Sequence, residues 1–248
     1  MQKKQYFCSA KESDDMTVLY EDNHIIAVNK TCNEIVQGDK TGDTPLSEIV
    51  KEYIKDKYNK PGEVFLGVTH RLDRPTSGVV LFARTSKALT RLNEMFKEKS
   101  QITNHQSPIT KTYWAIVQGA PKQAEARLEN WLVRNEAQNK SYIAKPNAKD
   151  AKQAVLTYRT LVRGENYTLL EINLETGRHH QIRCQLAAIG CPIKGDLKYG
   201  AKRSNPDGGI CLHARKIEFI HPVKKEPICI TAPVPNDSLW QQLSASVR

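Results

Sequence analysis

No stretch of this chain approaches the ~20 consecutive apolar residues that a membrane-spanning helix needs. The opening segment MQKKQYFCSAKESDDM also lacks the apolar run of a signal peptide. Cysteine is present without a pattern: Cys8, Cys32, Cys184, Cys191, Cys211 and Cys229 form no CxxC pair and no tight framework. That spacing argues against zinc and against a disulfide scaffold, and it reads as reduced thiols, several of them in the core. The adjacent His179 and His180 do not repair the missing ligand set, because neighbours on a helix point ~100° apart. No metal is expected. Internal repeats and low-complexity linkers are absent too, so one continuous body is expected.

Acid is in short supply. Lys and Arg number 37 against 27 Asp and Glu, a formal net charge of +10. Such an excess favours a polyanionic partner, most often nucleic acid or an anionic membrane; a basic enzyme without such a partner is the plain alternative. The 248 residues, 39% of them apolar, are enough to bury a sizeable core.

Patterning then gives the elements. Val18–Tyr20 and Ile25–Asn29 read as two short strands around a turn, and residues 1–16 as a flexible polar tail. Thr44 and Pro45 suit a helix start, followed by a stripe of Leu46, Ile49, Val50, Tyr53 and Ile54. The run Val79–Ala83 reads as a buried strand. Thr85 or Ser86 can cap a helix burying Leu89, Leu92 and Met95 or Phe96, and residues 98–111 read as a polar loop. Thr112–Gln118 alternates as a strand, while 119–152 is rich in Lys, Asn, Gln and Ala with weak periodicity and resists placement. Ala154–Val162 and Tyr167–Leu174 form a hairpin. A short helix from about His179 to Ile189 stops at Gly190, Ile217–Phe219 and Ile228–Ala232 are further strands, and Asn236 suits a final helix cap. Hairpin-linked strands with dispersed helices predict an α+β body around a mostly antiparallel or mixed sheet.

Three segments can carry chemistry. In HRLDRPTSG (70–78), one carboxylate, Asp73, lies among His70, Arg71 and Arg74 just before a buried strand. A nearby cation keeps a carboxylate ionised, as a nucleophile requires; the same residues also compose an ordinary turn. In ETGRHHQIR (175–183), Gly177 allows a sharp turn into a helix N-terminus suited to an anion, and Arg183 can pair with a carboxylate across a site. Tyr113 in KTYWA can stack on a base or move a proton, or simply fill a strand. The loop around Lys198, Lys202 and Arg203 can touch phosphates or merely be solvated.

Taken in order, HRLDRPTSGVVLFARTSKAL (70–89), KTYWAIVQG (111–119), TGRHHQIRCQLAAIGCPIKGDLKYG (176–200) and LHARKIEFIHP (212–222) resemble the RluA family of pseudouridine synthases, as does the opening VLYEDNHIIAVNK (18–30). The resemblance implies a mixed, mainly antiparallel sheet with a central cleft and flanking helices, and conversion of uridine to pseudouridine in structured rRNA or tRNA after base flipping. It implies Asp73 as the catalytic aspartate, Tyr113 in the uracil pocket, Arg183 paired with Asp73, and Arg71 filling the gap left by the extruded nucleotide. It implies no cofactor. His70, Leu72, Arg74, Thr76, Arg178 and Gln181, with Lys198, Lys202 and Arg203, are expected on the substrate side. A non-catalytic RNA-binding protein on the same scaffold is the alternative. Two departures stand out: Lys30 is followed by Thr31-Cys32 where the family often has Lys-Pro, and only about 17 residues precede the first strand, too few for a separate N-terminal RNA-binding domain. A single catalytic domain over 17–248, monomeric and cytoplasmic, is expected.

Overall fold

The computed structural model describes residues 5–6, 16–100 and 108–247. In chain order its strands and helices are β1 (Gln5–Tyr6), β2 (Thr17–Glu21), β3 (Ile25–Lys30), α1 (Leu46–Lys57), β4 (Gly67–Val68), β5 (Ser77–Ala83), α2 (Ser86–Ser100), β6 (Ile109–Gln118), β7 (Glu125–Asn135), β8 (Lys140–Ala144), β9 (Lys152–Arg163), β10 (Tyr167–Leu174), α3 (Gln181–Ala188), β11 (Leu212–Ile220), β12 (Pro227–Thr231) and α4 (Ser238–Ala245). The twelve described strands form one sheet, whose main path runs β2-β3-β5-β11-β6-β10-β9-β7-β8. Its pairs are antiparallel except β5 with β11 and β1 with β12. The expected mixed, mainly antiparallel α+β architecture is what forms.

The continuous apolar run of β5 follows from its place inside the sheet, between β3 and β11, with residues 78–83 all buried. α1 buries Leu46, Val50 and Ile54 against this core, and α2 buries Ala88 and Leu92. The capping expectations need adjustment. The side chain before α1 makes no cap: Pro45, not Thr44, holds the cap position, and Leu46 N–H donates to the Ile35 carbonyl instead. Thr85 does cap α2, accepting from Ala88 N–H at 3.2 Å. At α4 the cap is Asp237 rather than Asn236, accepting from Leu239 and Trp240. The polar loop expected over 98–111 is shorter, since α2 runs to Ser100 and β6 begins at Ile109; residues 101–107 lie outside the described residues. Of the expected N-terminal tail, Gln5–Tyr6 pair in parallel with Cys229–Ile230, and the rest of that segment before residue 16 lies outside the described residues. The stretch that resisted placement holds the β7–β8 hairpin at one end of the sheet path.

The parallel contact between β5 and β11 brings the loop before β5 beside the later half of the chain. It also holds the tightest of the described glycine positions. Gly78 has φ +114°, and a Cβ there would stand 2.5 Å from the Ala214 nitrogen. Glycine is required on both counts, backbone conformation and space. Gly78→Ala is expected to destabilise the protein by about 2–4 kcal/mol, with local backbone strain and a forced separation of the strands combining. Urea unfolding measures this, and a midpoint unchanged from wild type would refute the constraint.

Candidate active site

A cleft of about 420 Å³ opens over this junction. Its walls come from the 69–76 loop, Phe96 of α2, Lys111 and Tyr113 of β6, Arg134 of β7, the 177–180 loop, the start of α3, and Leu212. Asp73 is the only carboxylate among the described residues lining it.

The loop that carries Asp73 is held from below by a buried lysine. Lys30, fully buried at the end of β3, donates its three N–H groups to the carbonyls of Thr31 (2.8 Å), Arg74 (3.0 Å) and Thr76 (2.7 Å). Asn33 N–H also donates to the Arg74 carbonyl, and Thr76 N–H closes a turn onto the Asp73 carbonyl, both at 3.0 Å. Burial lowers the Lys30 pKa to about 8 against the opposing pull of Glu34, Cys32 and Asp73. Where the family often has proline, Thr31 instead turns the chain by binding Glu34 through both its N–H and its hydroxyl.

From the other half comes Arg183. Its Nε and Nη2 donate to the two oxygens of Asp196 at 2.7 and 2.8 Å, and its Nη1 donates to Asp73 Oδ2 at 3.2 Å. Arg183 and Asp196 keep 6% and 1% of their side-chain surface exposed, whereas Asp73 keeps 31%. Burial alone would weaken the guanidinium, but Asp196 and then Asp73 raise its pKa above the usual value. The Tyr199 ring lies under the guanidinium, 5.1 Å from its carbon.

His180 stands beside the same carboxylate. It sits just before α3 in the left-handed region, φ 50° and ψ 26°, a conformation uncommon outside glycine that clusters at functional sites. Its Nε2 lies 3.4 Å from Asp73 Oδ2 and its Nδ1 3.0 Å from the Tyr199 hydroxyl. Burial, then Arg183, push its pKa down to about 2, so the ring is neutral. The Tyr199 hydroxyl that Nδ1 meets also accepts from Ser141 N–H at 2.8 Å and donates to the Ser141 carbonyl at 3.2 Å. The His179 and His180 rings stack with centroids 3.8 Å apart, and neither lies within α3.

The expected substrate-side residues divide sharply. Arg71 is exposed at the cleft wall and meets no partner among the described residues. Thr76 lines the cleft, its hydroxyl buried without a partner. Tyr113 is buried beside Asp73; burial first, then the Asp73 charge, raise its pKa, so its hydroxyl stays protonated. Leu72 lines the cleft but is mainly core. His70 accepts from Leu81 N–H at 3.0 Å and tilts against Phe96; burial, then Lys111, lower its pKa to about 3. Gln181 holds the 176–178 turn, accepting from the Thr176 hydroxyl and from Arg178 N–H while donating to the Val155 carbonyl. Arg178 lines the cleft and donates to the Gln153 carbonyl.

Four of the expected residues lie outside the cleft lining. Arg74 turns away to bind Asp43 at 2.6 Å and Thr41, with Asp39 nearby, because an acidic loop stands on that side of its backbone. Lys198 donates to the Gln138 and Asn139 carbonyls, tying down the β7–β8 turn. Lys202 and Arg203 are exposed and do not line the cleft. Sequence reasoning missed Lys30, Lys111, Arg134, His180, Asp196 and Tyr199. The one available signal for the last two was GDLKYG, present in the resemblance but read only as a basic loop.

Against known proteins, the family described as RNA pseudouridylate synthase matches residues 24–188. The ribosomal large subunit pseudouridine synthase D of Xanthomonas campestris pv. campestris is 32% identical over 253 residues, covering 97% of this chain and 72% of that protein. The tRNA pseudouridine synthase C of Vibrio cholerae is 31% identical, covering 92% of this chain and 94% of its own length. Among solved structures, human RNA Pseudouridylate Synthase Domain Containing 4 shares the fold at a TM-score of 0.73 and 21% identity, with 92% of each chain covered. The matched span contains the loop of Asp73, the strand of Tyr113 and the helix of Arg183, and with it this chain belongs to the RNA pseudouridylate synthase family.

Proposed function

We propose that this protein isomerises specific uridines in structured ribosomal or transfer RNA, with Asp73 as its catalytic carboxylate. The observation that carries the reading is the cleft's single carboxylate, gripped by a buried arginine that a second carboxylate anchors. The reaction breaks C1′–N1, turns the uracil and joins C1′–C5. The chemistry uses Asp73 as a carboxylate, and Arg183 donates to it at 3.2 Å, a charge-assisted contact that orients it toward the cleft. Tyr113, protonated and beside Asp73, offers a ring for the base and a hydroxyl for proton transfer. A paired uridine cannot reach this cleft without leaving its stack, so the target nucleotide is flipped. Arg71, exposed and unpartnered at the cleft wall, is placed to occupy the gap. Arg134 and Arg178 add cationic wall for the phosphates.

Asp73→Asn is nearly isosteric but cannot act as a carboxylate nucleophile or base. Pseudouridine formation in unmodified tRNA and large-subunit rRNA transcripts is expected to fall below about 1% of wild type, with RNA affinity kept. Turnover above that level would remove Asp73 from the chemistry. Asp196→Asn tests the anchor. Leaving Arg183 half-paired in its buried site is expected to lower stability by about 3 kcal/mol and to slow turnover although residue 196 never meets substrate. Wild-type stability and rate together would show that the anchor is dispensable. For Arg71→Ala, the informative quantity is its turnover relative to wild type on a paired and on an unpaired target uridine. Gap filling predicts a larger defect on the paired target; equal defects would return Arg71 to simple electrostatics.

A further inference from the structure

One cation in the cleft has no assignment. Lys111 precedes Tyr113 by two residues on β6, so both side chains leave the same face of the strand. Of the other cations lining the cleft, Arg183 is held by two carboxylates and Arg178 donates to a carbonyl, while Arg71 and Arg134 are exposed. Lys111 is more enclosed. Its Nζ lies 5.5 Å from the centroid of the Phe96 ring, and a Cβ on Gly177 would come within 3.9 Å of it. Among the described residues no carboxylate and no hydrogen-bond acceptor meets this ammonium. Burial lowers its pKa to about 8, which leaves it mainly charged at neutral pH. A partly dry ammonium without a counter-charge is unfavourable in the empty protein. It fits a ligand that brings negative charge to that spot.

Two parts of a flipped nucleotide carry such charge. The phosphates follow the backbone and fall to the exposed arginines at the wall. The base enters further, beside Tyr113, which shares the strand face of Lys111. We propose that Lys111 is a further catalytic residue, whose ammonium stabilises the negative charge that develops on a uracil carbonyl oxygen during isomerisation. The proposal rests on the reading of this cleft as the uridine site. As C1′–N1 breaks, its electron pair leaves with the base and spreads onto N1, O2 and O4. Lys111 donates a hydrogen bond to one of those oxygens without giving up its proton. Attack of C5 on C1′ returns that electron pair to the sugar and neutralises the ring, and the C5 proton is then lost as N1 gains one, which restores the conjugated pyrimidine. Charge reaches the carbonyl oxygens whether Asp73 attacks the sugar, adds to the base or removes a sugar proton, so the role does not depend on that choice.

The test varies the stability of the departing base. Unmodified tRNA and large-subunit rRNA transcripts are made with uridine or with 5-fluorouridine throughout, and formation of the C1′–C5 bond is scored by mass spectrometry of the carbon-linked nucleosides under single-turnover conditions, because the fluorinated ring has no C5 proton to lose afterwards. The electron-withdrawing fluorine stabilises the uracil anion, so its departure needs less help. Lys111→Met is expected to slow reaction of the uridine transcripts at least ~100-fold, the size of losing one preorganised donor at a developing oxyanion. RNA affinity is expected to change less than ~2-fold, because no phosphate contact is lost. On 5-fluorouridine transcripts the defect should shrink at least ~10-fold relative to uridine, since the missing donor matters less to a stabilised anion. Lys111→Arg should restore most of the rate, which a proton-abstracting lysine would not allow. The Met variant should melt no lower than wild type, as an unpartnered ammonium is removed. A defect equal on both transcripts, failure of Lys111→Arg to restore activity, or an affinity loss accounting for the whole defect each overturns the proposal. Asp73→Asn in the same assay keeps the two ideas apart: turnover there refutes the aspartate, while a base-independent Lys111→Met defect refutes only the lysine.

Discussion

One guanidinium orients the cleft. Arg183 is planar, and two of its nitrogens are locked onto both oxygens of Asp196 at 2.7 and 2.8 Å. A planar group fixed along one edge cannot rotate, so the remaining Nη1 is aimed at Asp73, which it meets at the longer distance of 3.2 Å. The two carboxylates thus have different duties. Asp196, 1% exposed, holds the arginine; Asp73, 31% exposed, is held by it and still presents a face to the cleft. A lysine could not divide its charge this way, because a point charge has no edge to fix. Tyr199 ties the parts together, lying under the guanidinium while its hydroxyl meets His180.

The arrangement works only if Asp73 arrives from the other side at the right height. That is set by Lys30, whose ammonium fastens two carbonyls of the Asp73 loop to the end of β3, and by Gly78, which lets β5 close onto β11. Asp73 therefore comes from the first half of the chain and Arg183 from the second, with the parallel β5–β11 contact as the joint. Loops placed on such a joint inherit its rigidity.

This explains what could be read from the residues. Asp73, Tyr113 and Arg183 each sit in a short motif whose order along the chain carried the resemblance, and the structure brings all three to one cleft. The strands with strong alternation or continuous apolar runs, β5 and the β9–β10 hairpin, were legible for the same local reason. The β7–β8 hairpin was not, because of the eleven residues of β7 only Leu132 is buried, and such a strand has little apolar signal to show. Lys30 and Asp196 were illegible in another way. Lysine and aspartate next to turns normally face water, and only tertiary contacts across 46 and 13 residues of sequence bury these two. The partner of Arg74 was illegible by the same logic: what it meets is an acidic loop 31 residues earlier in the chain.

The distribution of unsatisfied groups gives the cleft a direction. On the wall made by residues 176–181, polar atoms are interlocked: Thr176 with Gln181 and Val155, Gln181 with Arg178, and Arg178 with Gln153. On the opposite wall, Thr76 Oγ1 and His70 Nδ1 are buried without partners, and the tips of Lys111 and Tyr113 meet no acceptor or donor among the described residues. Unpaired polar groups of this kind are rare in folded proteins and unfavourable in the empty state. Gathered on one wall, they make that wall the polar complement of whatever enters, and leave the interlocked wall to hold shape. A site built to hydrogen-bond its ligand rejects one that leaves those groups unpaired far more strongly than an apolar pocket rejects a misfit. Among the described residues the unpaired polar groups of the cleft thus lie on β6 and the Asp73 loop, and the interlocked ones on the 176–181 turn.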